Sequence, residues 1–132
     1  IHNSVTDGMG KIGVLINFNN NSSEIDNIGK NICMHIAASS PKSLTADDLD
    51  KSIIESEKEI ISRQLKETGK PDNILEKMME GKLNKFYEEN TLMAQKFVID
   101  PSISVEQYLR QASKEINSQI NIQEFLRFEI GS

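Results

Sequence analysis

Between Thr45 and Leu92 the sequence lays out two long amphipathic runs around Thr68-Gly69-Lys70-Pro71, and this pattern leaves little freedom of architecture. Before the turn, Leu49, Ile53, Ile60 and Leu65 fall close to one stripe, with Ile54 and Ile61 beside it. After it, Leu75, Met79, Leu83 and Phe86 recur at steps of four, four and three. Apolar residues at those steps share one helix face, and that face needs a second helix to cover it. Gly69 suits the positive φ that ends a helix, and Pro71 suits the first turn of the next. The expectation is an antiparallel helical hairpin over residues 45–92. At a rise of about 1.5 Å per residue, each arm reaches on the order of 30 Å. The flanking segments, 1–44 and 93–132, must then build one small core from which the hairpin is an insertion.

Those flanks read as a mixture of strands and helices. Ile1 to Gly10 is polar and carries Asp7-Gly8 and Gly10, which reads as a loop. Ile12, Val14, Ile16 and Phe18 alternate with Gly13, Leu15 and Asn17, the period of a strand, and the apolar Leu15 implies partial cover on both faces. Asn19 to Ser23 closes that strand. Ser22 or Ser23 is then placed to cap a helix through Ile25, Ile28, Ile32 and Ile36, which ends at Ser39-Ser40-Pro41. Thr45 with Asp48 has the form of a capping box opening the hairpin. Beyond it, Phe97-Val98-Ile99 reads as a short strand closed by Asp100-Pro101, and Ser104 with Gln107 as a second capping box. Ile122 to Ile130 reads as the last strand, with Leu126, Phe128 and Ile130 on one face and Arg127 and Glu129 on the other. The expected class is α+β: a small three-stranded antiparallel sheet, flanking helices and the long inserted antiparallel helical hairpin.

Composition narrows the function mainly by exclusion. A formal charge of −5 over 132 residues argues against nucleic acid as the main partner, because phosphate binding relies on clustered Lys and Arg. No apolar run approaches the ~20 residues that cross a bilayer. The single Cys33 cannot form an internal disulfide, which favours a reducing, cytoplasmic setting. His2 and His35 are the only imidazoles, and Cys33 and His35 stand two apart on a helix, pointing apart, so neither a metal site nor a cofactor is expected. Nothing local would activate Cys33 as a nucleophile, and it reads as a small buried hydrophobe. Gly8-Met9-Gly10-Lys11 lacks the glycine spacing and the following Ser or Thr of a phosphate loop. The hairpin carboxylates interleave with Lys51, Lys58, Lys66, Lys77, Lys82 and Lys85 as a solvated face. A hydrolase using them would require two facing carboxylates in a pocket. No catalytic residue is expected, and the chain does not read as an enzyme.

Two places carry a sharper alternative. His35, beside Met34 and Ala37-Ala38, is either a satisfied, half-buried histidine or an interface residue. Strand alternation puts one of Val98 and Ile99 toward the core and leaves the other as exposed apolar surface, unless a partner covers it.

Gly29-Lys30-Asn31-Ile32-Cys33-Met34-His35-Ile36-Ala37-Ala38 resembles the Gly-Lys-x-x-Ala-Met-His-x-Ala-Ala segment of bacterial translation elongation factor Ts. Gly69-Lys70-Pro71, Glu76-Lys77-Met78, Glu80-Gly81 and Lys85-Phe86 resemble the hairpin of that family. Gln95-Lys96-Phe97-Val98, Asp100-Pro101 and Phe125 to Gly131 resemble its closing strands. The likeness runs in order over nearly the whole chain. Cys33 stands where Ala is usual, and Lys96 where Pro is common. Members of the family carry an earlier Thr-Asp-Phe-Val motif that reaches toward the nucleotide site of elongation factor Tu. Here Thr6-Asp7 is followed by Gly8, so the chain resembles the C-terminal half of the factor, its second core subdomain with the inserted coiled coil.

The resemblance implies a guanine-nucleotide exchange factor of translation elongation that binds the GDP form of elongation factor Tu. It implies that His35, Val98 and Ile99 lie on the contact with that partner's third domain. The half seen here would bind without driving exchange, lacking the motif that disturbs the nucleotide site. The competing expectation is a structural module that self-associates, as a homodimer, through the hairpin.

Overall fold

The computed structural model describes residues 2–6, 12–19 and 23–129. The loop residues Asp7, Gly8 and Gly10, the Gly8–Lys11 stretch, Asn20-Asn21, the proposed cap Ser22 and the strand residue Ile130 lie outside them, as does the side chain of His2.

Three strands form one antiparallel sheet in the order β1 (His2–Thr6), β2 (Ile12–Phe18), β3 (Ile122–Glu129). The expected sheet is thereby corrected, because its members differ from those read in the sequence. The stretch that reads as an opening loop contains β1, paired with β2 from His2↔Ile16 to Thr6↔Ile12. Residues 97–99, which read as a strand, belong to no sheet; the segment makes only an isolated bridge, Lys96↔Ser104. An edge strand needs only its backbone to pair and can carry a polar sequence, whereas three apolar residues fit a turn as readily as a strand.

β2 behaves as its alternation requires: Ile12, Val14, Ile16 and Phe18 are all buried. They face helix α1 (Ile25–Ser39), whose Ile25, Ile28, Ile32 and Ile36 are buried in the same cluster. The expected cap is corrected at Ser23: Glu24 is the N-cap residue, and Ser23 contributes only its carbonyl, which accepts the Asp26 N–H at 3.3 Å. It stops at Ser40, left-handed at φ 47, whose N–H closes on the Ile36 carbonyl before Pro41. On β3 the alternation also holds, but the apolar side is the open one. Leu126 and Phe128 sit opposite Leu15 and Gly13, on the face away from α1, and both are exposed. Arg127, opposite Val14, instead turns to α1 and donates to the Ala37 carbonyl at 3.1 and 3.4 Å.

The Thr45–Asp48 box is present, but it closes a single 3-10 turn (Ala46–Asp48), the Thr45 N–H donating to the Asp48 carboxylate at 3.2 Å. Helix α2 (Lys51–Lys66) starts later, capped by Asp50, whose side chain accepts the Ser52 N–H at 3.0 Å. Gly69 takes φ +69, and α3 (Asp72–Asn90) begins directly after Pro71. The two helices pack on one another. Of the expected stripe, Leu49 and Leu65 are buried and Ile53 is half-buried, but Ile60 is 47% exposed, and the contact line runs instead through Ile54, Ile61 and Leu65. Steps of seven and four hold one face better than the mixed set, because a one-residue slip turns a side chain by about 100°. On α3 the expected Leu75, Met79, Leu83 and Phe86 are all half-buried, as a layer only two helices thick demands. Helix α4 (Val105–Glu115) opens with the Ser104 box intact: Ser104 Oγ accepts the Gln107 N–H at 3.1 Å, and Gln107 Oε1 accepts the Ser104 N–H at 2.8 Å. Its Val105, Leu109 and Ala112 join Leu92, Phe97, Ile120 and Ile122 in the core cluster with β2 and α1.

Candidate functional site

The loop between α3 and α4 is built around one buried aromatic. Phe97 is buried and stacks on Tyr108 of α4, ring centroids 4.2 Å apart. Tyr108 is tied to α1 in turn, its hydroxyl accepting from Asn31 Nδ2 at 3.0 Å. The backbone then makes two turns. Asp100 N–H donates to the Phe97 carbonyl at 3.1 Å, and Ile103 N–H to the Asp100 carbonyl at 3.2 Å. Phe97 N–H donates to the Ile103 carbonyl at 2.9 Å and closes the loop at its base. Asp100 Oδ1 accepts from Ser102 N–H and hydroxyl at 3.2 and 2.6 Å, and Pro101 follows where its fixed φ favours a turn. Val98 and Ile99 are left at the outer end of this loop.

Both are exposed, Val98 by 42% and Ile99 by 50%. The strand alternation that would have hidden one of them does not exist here. Met34, next to His35 on α1, is a third exposed apolar side chain.

His35 is fully buried. Its Nδ1 accepts the Val98 N–H at 3.1 Å, and its Nε2 lies 2.8 Å from Gln95 Oε1. An acceptor at Nδ1 requires the proton on Nε2, so the imidazole is the neutral Nε2–H tautomer donating to Gln95. Burial lowers the His35 pKa below the ordinary histidine value, with the Gln95 bond acting in the other direction. The structure thus brings His35 to Val98 through the backbone while keeping its ring off the surface. Sequence reasoning missed Gln95, Asn31 and Tyr108. Their partners lie tens of residues away, and no local spacing signals them.

Chemistry of other kinds finds little footing. Cys33 is buried and its thiol is pushed up to about 11 by burial, which makes it a poor nucleophile. A surface hollow of about 680 Å³ runs along the end of α4 past Leu109, Ser113 and Ile120. Its one lining carboxylate, Glu106, is paired with Arg110. Among the described residues no three His, Cys, Asp or Glu side chains converge as a metal site would require, and no helix is long and apolar enough to cross a membrane.

The family model described as Elongation factor TS matches residues 1–132. The chain belongs to the elongation factor Ts family. It is 47% identical to elongation factor Ts of Bartonella henselae over 133 aligned positions, covering 99% of this chain and 43% of that protein. The counterpart from Mesorhizobium japonicum is 44% identical, with 99% and 44% covered, and that from Paracoccus denitrificans 45% identical, with 92% and 41% covered. The chain therefore spans well under half the length of the curated relatives it matches.

Proposed function

We propose that this chain takes part in guanine-nucleotide exchange on elongation factor Tu as a binding element, gripping the GDP form of that partner through Val98 and Ile99. The observation that carries this reading is the exposed apolar pair on a loop whose base is closed and whose Val98 N–H is held by buried His35. Apolar side chains on a rigid mount lose little entropy when covered, which is what an interface anchor requires. Exchange by such a factor is negative coupling between two ligands of one protein, so it needs no catalytic side chain. We further take the chain to correspond to the C-terminal half of the factor, with the hairpin of 45–92 inserted in a core made from 1–44 and 93–132. Support for this comes from the absence of a Thr-Asp-Phe-Val sequence and from the closing motif at Phe125 to Gly131.

The test is calorimetric binding to elongation factor Tu–GDP, with and without Val98→Ala/Ile99→Ala, alongside the rate of GDP release. The double variant binds at least ten-fold more weakly while its Tm is unchanged, and the parent chain leaves GDP release nearly as it was. Equal affinity of the two proteins would remove the loop from the interface. A second reading, self-association through the hairpin, draws on exposed Ile60 of α2 and Ile74 of α3. Sedimentation as a monomer up to high concentration would dismiss it.

A further inference from the structure

Gln95 makes more connections than any local role needs. It is buried, and each of its four polar groups goes to a different place. Its backbone N–H donates to the Thr91 carbonyl at 3.0 Å, just past the end of α3. Its carbonyl accepts the Val105 N–H at 3.0 Å, the first residue of α4. Side-chain Nε2 donates to the Glu89 carbonyl at 2.8 Å, in the last turn of α3, and Oε1 receives the proton of His35 on α1.

The donor and acceptor roles along this line admit one arrangement. The Glu89 carbonyl can only accept, so Gln95 must present its NH₂ there and its oxygen to the imidazole. That oxygen fixes the proton on His35 Nε2, which leaves Nδ1 as the lone pair that receives the Val98 N–H. Glu89, Gln95, His35 and Val98 therefore form a directional relay, from the hairpin's second helix to the apolar loop. Reversing any one bond places two donors or two acceptors face to face.

We infer that Gln95 is the positioning residue of the binding loop: through His35 it sets where Val98 and Ile99 are held, and it couples that position to the base of the hairpin. The inference rests on the reading of Val98 and Ile99 as partner contacts. Gln95 itself is buried and touches no partner. Its effect on binding is indirect, carried by the imidazole tautomer and one backbone bond. A displacement of the last turn of α3 pulls on the Gln95 amide, and the loop responds. The central His35–Gln95 bond is buried and the bonds to Glu89 and Val98 are partly buried, which limits how far solvent stands in when one member is removed.

The test uses Gln95→Met, which keeps the volume and removes both side-chain bonds, and Gln95→Glu, which keeps an acceptor for the imidazole proton at pH 8 but not the donor to Glu89. Three quantities are read in the whole chain: the ¹⁵N shifts of His35, amide exchange at Val98 against that at core residues Ile32 and Ile36, and affinity for elongation factor Tu. Gln95→Met is expected to raise exchange at Val98 at least ten-fold more than at Ile32 and Ile36, to shift His35 away from the pure Nε2–H form, and to weaken binding as much as Val98→Ala/Ile99→Ala does. Gln95→Glu retains the His35 tautomer at pH 8 and shows the smaller effect at Val98. If Gln95→Met loosens Val98 and the core equally, Gln95 is merely structural and the inference falls. Should Gln95→Met prove too unstable to purify, Gln95→Glu decides alone: unaltered exchange at Val98 with unaltered affinity overturns the coupling to α3. If Val98→Ala/Ile99→Ala binds normally, the functional reading fails instead, and with it the positioning role in binding, whatever Val98 exchange shows.

Discussion

The Val98 N–H and the Nδ1 of His35, 63 positions apart in sequence, meet at 3.1 Å and allow the imidazole only one neutral tautomer. A second proton would turn Nδ1 into a donor facing a donor, and burial opposes the charge as well. The folded pKa is therefore below the unfolded value of about 6.5. Above that value both states hold His35 neutral, and its contribution to stability is complete. As pH falls below it, the unfolded chain binds a proton that the native chain refuses, so stability declines until the folded pKa is passed. Urea unfolding between pH 8 and pH 5 should show this decline in the parent chain and a shallower one in His35→Gln. Equal slopes would mean that another group controls the acid limb.

Phe128 packs its ring where a side chain on Gly13 would stand. A Cβ at Gly13 would lie 2.2 Å from Cζ of that ring, across the β2–β3 pair. The ring is 40% exposed and can swing outward, so the expected loss in Gly13→Ala is modest, about 1 kcal/mol, partly offset by the reduced freedom of the unfolded chain. The sharper signature is non-additivity. Once Phe128→Ala has cleared the site, Gly13→Ala should be neutral or stabilising, with a coupling of about 1 kcal/mol in a thermal double-mutant cycle.

Legibility in the sequence followed the range of the determining contact. The hairpin, its Gly69 turn and the Ser104–Gln107 box depend on neighbours within a few residues, and all three are visible in the pattern. The choice between the Ile60 and Ile61 stripes was harder, because adjacent isoleucines satisfy both and only α3 decides between them. β1 was invisible for a physical reason: β2 supplies the ladder partners, and His2-Asn3-Ser4-Val5-Thr6 has no periodicity of its own. Phe97-Val98-Ile99 misled because its buried member is fixed by stacking on Tyr108, not by strand pairing. At the candidate site, the apolar character of Val98 and Ile99 could be read directly. The place of His35 behind them could not, since Gln95 and Val98 reach it from 60 and 63 positions away.

The hairpin offers a pair of glycines whose replacement should act in opposite directions. Gly69 holds φ +69, and a Cβ there would find nothing within 4 Å, so Gly69→Ala meets backbone strain alone and should lose about 1 kcal/mol. Gly81 lies within α3, also with open space around it, and carries no positive φ. Gly81→Ala should gain about 0.5–1 kcal/mol through helix propensity. Amide exchange along α2 and α3 reads both effects: faster throughout the hairpin in the first variant and slower in the second. A stabilising Gly69→Ala would contradict the left-handed turn.

Arg127 performs for α1 a task that the helix does not perform for itself. No basic residue occupies the last turn of α1, and the exposed end of its dipole would go uncompensated. The guanidinium arrives from β3, 18% exposed, and places Nε and Nη2 on the Ala37 carbonyl. Charge at a helix C-terminus and a charge-assisted bond together stabilise by about 1–2 kcal/mol in a partly buried setting. Arg127→Met should lower stability by that amount, and Arg127→Lys should restore less than half of it, because one ammonium cannot reproduce the two-nitrogen approach. The pair with Glu129, at 3.2 Å, is the competing explanation, but the Glu129 side chain is 70% exposed. Pairs of that kind contribute little in water. Glu129→Gln should accordingly leave the Tm nearly unchanged; a loss as large as that of Arg127→Met would shift the credit from the helix end to the ion pair.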